Sequence, residues 1–203
     1  HLNDPFWENN QGLRDRLIRD FSVYTTSFNS VHVLNYKSAP LFLKLLAVLR
    51  EAGESDVANR HLYLAAYNNP GALEVVIPAA IQQIRDKNYE TAKDLIYASL
   101  VRFPDDANLH NYLGLIALKE KEFNRAISFI NLAMINWSEI SLDNFFGYQI
   151  LAEAAARNRD RKTLDKARTG MNYLSGNKYK QQIGDLTIHI GKSSFLVNPP
   201  VIE

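Results

Sequence analysis

The sequence predicts an all-α protein built from repeated helix pairs. Three observations carry that expectation. Apolar residues recur at helical spacing along most of the chain. Residues of like type return every 34 positions, and the breaks between helical stretches are short and polar or end on proline.

The repeat is the strongest of the three. Ala58, Ala92 and Ala126 stand 34 apart, as do Leu62, Ile96 and Ile130, and Ala65, Ser99 and Ala133. Leu45, Ala79 and Leu113 recur in the preceding half-unit, beside Leu46, Ala80 and Gly114. Pro70 and Pro104 keep the same step, with Ser138 in third place, and Tyr89 matches Phe123. These columns define units 39–72, 73–106 and 107–140. Each reads as a helix, a polar turn ("EAGES", "RDKN" or "KEKE"), a second helix and a stop. Proline cannot continue a helix, which accounts for the stops. Turns this short make the two helices of a unit antiparallel neighbours. Small residues such as Gly114 and Ala126 then belong where the backbones approach. Stacking of pairs is what buries their apolar faces.

The flanks are weaker. A degenerate fourth unit is expected over 141–175, with "LDNFFGYQILAEAAA" and "RKTLDKARTGMNYL" as its helices and a longer turn between them. Residues 176–203 read as a capping helix (178–191) and an extended tail ending in Pro199-Pro200. Residues 1–38 read as an irregular helical segment. Asp4-Pro5 suits a helix start, and Leu13, Leu17, Phe21, Tyr24, Phe28 and Val31 keep helical spacing.

With Gly114, Phe123, Ala126, Ile130 and Ala133 in one unit, and Ala80, Tyr89, Ala92, Ile96, Ser99 and Pro104 in the one before, the chain resembles the tetratricopeptide repeat family. Three of its units match, over 39–140; the tryptophan usual near the start of the unit is replaced by Phe42, Val76 and His110. The resemblance implies a right-handed superhelix of antiparallel helix pairs whose first helices line a concave groove. Carried across position by position, that groove takes Leu43, Ile77, Ile81, Ile84, Asn108, Asn111, Leu115, Leu118 and Phe145. Some members of the family clamp a carboxylate tail through Lys, Asn and Arg in the groove. The matching places here hold Leu43, Ala47, Pro78, Asn108 and Tyr112, which do not carry the charge for it.

Composition narrows the function further. Apolar residues make up 46% and charged residues 22%, a globular balance. Lys plus Arg number 23 against 22 Asp plus Glu, which gives no electrostatic reason to expect nucleic acid or an anionic membrane. With no cysteine, disulfides and thiolate chemistry are excluded. The best apolar run, "LFLKLLAVL", is too short to span a membrane and carries Lys44, so no membrane insertion is expected. The start "HLNDPFWENN" lacks Met and a leader pattern, as a fragment would, and the composition fits cytoplasm and periplasm alike. The histidines form no metal-ligand spacing, and no phosphate-binding glycine motif is present. The expected role is a non-enzymatic scaffold or adaptor, free of metal and cofactor, whose groove receives an apolar protein segment. The alternative is a regulatory or substrate-presenting domain of a larger enzyme or assembly machine, with or without a membrane anchor.

Overall fold

A computed structural model describes residues 38–137 and 142–174, together with residues 11, 12, 15, 16, 18–20 and 23. The expected capping helix at 178–191, the extended tail, Ser138 and most of the N-terminal segment lie outside the described residues. The described N-terminal residues other than Ser38 are helical. Among the described residues the fold is all-helical, with no strand. The chain divides into two compact units, His1–Arg102 and Phe103–Glu203.

The first unit contains α1 (Ala39–Glu51), α2 (Ser55–Asn68), α3 (Leu73–Arg85) and α4 (Tyr89–Leu100). Pro40 lies in the first turn of α1, where an N–H has no partner within the helix anyway. Phe42, Leu46 and Leu49 then fall on one face of α1 by their 4-then-3 spacing, and all are fully buried. They share a core with Leu62 and Ala65 of α2, Val75, Val76 and Ala79 of α3 and Leu95 of α4. Ile18 from the N-terminal segment packs against the same core, as do Leu43, Val57 and Tyr63. α3 runs through Pro78, which has no N–H to offer the carbonyl of Glu74. Burial of Val75, Val76, Ala79, Ala80 and Ile84 holds the helix across it.

The second unit contains α5 (Ala107–Lys119), α6 (Phe123–Ile135), α7 (Leu142–Arg157) and α8 (Arg161–Leu174). Asp106 caps α5, its Oδ1 accepting from the Leu109 N–H at 2.9 Å. Asp160 caps α8 through the Thr163 N–H at 3.0 Å and the Thr163 hydroxyl at 2.6 Å. Consecutive helices pack together, and α7 also packs on α5. Gly114 sits where α5 meets α6. A Cβ there would lie 2.6 Å from Ile130 Cδ1 and 3.5 Å from the Ala126 carbonyl oxygen. The glycine is thus the condition for the close crossing, and its helix-propensity cost is offset by that packing.

The four turns inside the helix pairs share one hydrogen-bond pattern. In the first, Glu54 N–H donates to Leu49 O and Gly53 N–H to Arg50 O. Asn88 to Gln83 with Lys87 to Ile84, Glu122 to Ala117 with Lys121 to Leu118, and Asp160 to Ala155 with Arg159 to Ala156 repeat it. Each pair of bonds is a helix C-terminal cap closed by a left-handed residue. That residue is Gly53, Lys87, Lys121 or Arg159, with φ of 87°, 62°, 65° and 58°. The first three are 34 apart, so the period is written in the backbone as well as the side chains.

The fourth turn corrects one expectation. It is not longer: Asn158, Arg159 and Asp160 span it, three residues as in the others. The helix before it is longer, 16 residues in α7 against 13 in α5. Arg159 accordingly follows Lys121 by 38 residues, one helical turn more than the repeat. That inserted turn puts Arg161 where Phe123 stands in the preceding pair and hides the last repeat from a 34-residue comparison.

Candidate functional site

The expected groove residues fall into two groups by burial. In the first unit Leu43, Ile77 and Ile81 are half-buried, whereas Ile84 is buried. Ile77 stands 34 after Leu43, and Ile81 stands 34 after the exposed Ala47, on helices α1 and α3 that touch each other. Their chain neighbours Phe42, Leu46, Val76, Ala79 and Ala80 point the other way, into the core. In the second unit Asn108 is half-buried, and Asn111, Leu115, Leu118 and Phe145 are buried. A Cβ on Gly147 of α7 would lie 2.8 Å from Asn111 Oδ1, which measures how closely α7 approaches α5 there.

Cations gather at the turn end of the first unit. Burial, and then the nearby Arg85 guanidinium, lower the pKa of Arg50 from its ordinary value. Arg50 Nη2 donates to Asn59 Oδ1 at 3.1 Å, which ties the end of α1 to α2.

The turn end of the second unit holds a cavity of about 470 Å³, lined by Leu118, Lys119, Lys121, Phe123, Glu153 and Arg157. Glu153 is only 4% exposed, between the fully buried Ala152 and Ala154. Its Oε1 pairs with Arg157 Nε at 2.8 Å, one helical turn further along α7. Burial lowers the pKa of the Lys119 ammonium, and Glu153 opposes the shift. A smaller cavity of about 350 Å³ adjoins it, sharing Lys121 and Phe123 and adding Glu122, Asn124, Arg125 and Asn158. Arg125 pairs with Glu122 at 2.9 Å, and Asn158 Nδ2 donates to Asn124 Oδ1 at 2.7 Å.

Sequence reasoning missed this second cluster. "KEKE" reads only as a polar turn, and nothing in the spacing singles out Glu153 within the helical stretch "LDNFFGYQILAEAAA". The available signal was the i, i+4 spacing of Glu153 and Arg157, combined with Lys119 standing 34 before Glu153. Tyr67, Val101 and Ile135, also 34 apart, form a second column that repeat reasoning passed over, and all three are exposed.

Among the described residues no group of three or more His, Asp or Glu is placed to hold a metal ion. His61 is buried in α2, and His110 Nε2 lies 2.9 Å from the Pro104 carbonyl oxygen. Among the described residues no helix is long and apolar enough to cross a membrane. Comparison with protein-family models, with characterised proteins and with solved structures finds no match for this chain.

Proposed function

We propose that the chain is a tetratricopeptide-type superhelix that binds a segment of another protein and holds it within an assembly, without chemistry of its own. The observation that carries the reading is the pair of columns on α1 and α3. Ile77 and Ile81 stay half-exposed one helical turn apart on α3, beside α1, where Leu43 at the place matching Ile77 is half-exposed too while it packs in part on the core. Covering the half of such a side chain that is still exposed contributes about 1 kcal/mol, so a few together hold a short apolar segment.

The test is capture of a partner from a lysate on the immobilised full chain, compared with Ile77→Asp plus Ile81→Asp. Both side chains are half-buried, so the helical circular-dichroism signal is expected to persist. The captured protein should be lost. Undiminished capture by a folded double variant would place the interaction elsewhere and end this reading.

A further inference from the structure

Positive charge is concentrated on α8 and the turn before it. Residues 157–168 carry six Lys and Arg against two Asp, whereas the whole chain has 23 against 22, so the remainder is net negative. Arg157 is spent on Glu153. Arg159, Arg161, Lys162 and Lys166 are exposed, and among the described residues none of the four makes an ion pair. Helix cations elsewhere do pair, Lys93 with Glu90 at 2.6 Å and Arg125 with Glu122 at 2.9 Å. The two acids near α8 do not serve in this way. Asp160 accepts from the Thr163 N–H and hydroxyl, and the field of Lys162 is the smallest influence on its carboxyl. Asp165 stands four after Arg161, a spacing that admits a pair, and forms none among the described residues. Arg161 and Lys162 also open α8, where the helix dipole disfavours positive charge; its first turn holds no acid and its last turn no cation. Unpaired cations on an exposed face are complementary to an anionic partner.

Helical spacing puts Lys162, Lys166, Thr169 and Tyr173 on one stripe of α8, about 16 Å long. All four are exposed, Tyr173 at 74%. Leu164, Ala167, Met171 and Leu174 face the other way and are buried. We propose that this stripe, with Arg159 and Arg161 at its start, docks an acidic segment of a partner protein, its carboxylates toward Lys162 and Lys166 and an apolar residue on the Tyr173 ring. The net-negative remainder of the chain disfavours a nucleic acid or an anionic membrane, which would extend beyond the stripe, whereas a short acidic segment meets the stripe alone. The proposal rests on the reading of the chain as a protein-binding array and gives it a second surface, different in chemistry from the columns of α1 and α3.

The probe is a fluorescein-labelled, end-blocked Gly-Ser peptide with a Glu-Glu-Asp-Glu-Leu-Leu centre, and its companion carries Gln-Gln-Asn-Gln-Leu-Leu. Fluorescence anisotropy with the full chain at low salt should show the acidic peptide bound at least about fivefold tighter than the amide peptide. Added salt should remove most of the difference. Lys162→Gln plus Lys166→Gln should lose about that factor, and the helical circular-dichroism signal should persist because both side chains are exposed. Arg60→Gln plus Lys87→Asn removes two exposed cations of the first unit and should change nothing; asparagine tolerates the φ of 62° at Lys87. Tyr173→Ala should weaken both peptides alike, since they share the Leu-Leu end. Equal binding of the two peptides overturns the proposal, as does an unchanged affinity in Lys162→Gln plus Lys166→Gln or an equal loss in the control pair. Oligothymidylate bound more tightly than the acidic peptide would overturn it in favour of a nucleic acid. Loss of peptide binding alone leaves partner capture through Ile77 and Ile81 standing, so the two readings fail separately.

Discussion

Gly114→Ala measures how closely α5 and α6 cross. The new Cβ would lie 2.6 Å from Ile130 Cδ1 and 3.1 Å from its Cγ1. Ile130 is fully buried, so the end of its side chain moves only if its neighbours do. Alanine gains about 1 kcal/mol of helix propensity, and overpacking costs about 1–3 kcal/mol. The single variant should therefore fall between neutral and about 2 kcal/mol less stable. Ile130→Val separates the two effects because it deletes the clashing Cδ1. Alone it should cost about 0.5–1.5 kcal/mol. In the Gly114→Ala background it should be neutral or stabilising, giving a coupling of about 1–2 kcal/mol. Urea unfolding of the four proteins, followed by circular dichroism, reads this as midpoints at constant slope. If Gly114→Ala gains the full propensity term and the two changes add within about 0.5 kcal/mol, the close crossing does not exist.

The same unfolding assay checks the turns: Gly53→Ala should lose about 1 kcal/mol because φ of 87° is strained for any Cβ, and Lys87→Gly should gain somewhat less, since glycine also loosens the unfolded chain. Asp106→Ala should cost about 1 kcal/mol through the lost cap on α5. The hydrogen bonds from Thr163 hold the Asp160 carboxyl below its ordinary pKa. Its contribution is therefore present above the unfolded-state value and lost as pH falls through the folded one, and Asp160→Asn should flatten that acid limb of the melting curve. Burial, then Arg60, lowers the pKa of His61, so its contribution is present above the ordinary imidazole value of about 6.5 and declines as pH falls below it. His61→Leu should remove that dependence in thermal melts, since the corresponding place one repeat on is the buried Leu95.

What the sequence made legible was local. The 34-residue columns, the polar turns and the small residues at Gly114 and Ala126 follow from near-neighbour rules, and the helices begin and end close to where those rules put them. The left-handed lysines were not legible. Only Gly53 carries the residue type that advertises positive φ, whereas Lys87 and Lys121 adopt it because the pair of cap bonds around them compensates. The fourth pair was obscured by one extra turn of α7, a change in length that leaves composition and spacing within each helix intact.

The candidate site shows where spacing stops informing. Leu43, Ile77, Asn111 and Phe145 form one column at 34-residue steps, and Ala47, Ile81, Leu115 and Gln149 form another. Within the first unit these columns are half-buried or exposed; within the second they are buried. Identical places in the repeat therefore have opposite relations to solvent. The cause in the second unit is α7, longer by a turn and packed on α5, with Gly147 admitting it close to Asn111. Sequence spacing fixes which side chains share a face, and the next helix decides whether that face remains open. The apolar side chains of these columns that stay half-exposed accordingly lie on α1 and α3. The second unit gathers charged side chains at its turn end, where Glu153 pairs with Arg157 beside Lys119 at the edge of a cavity.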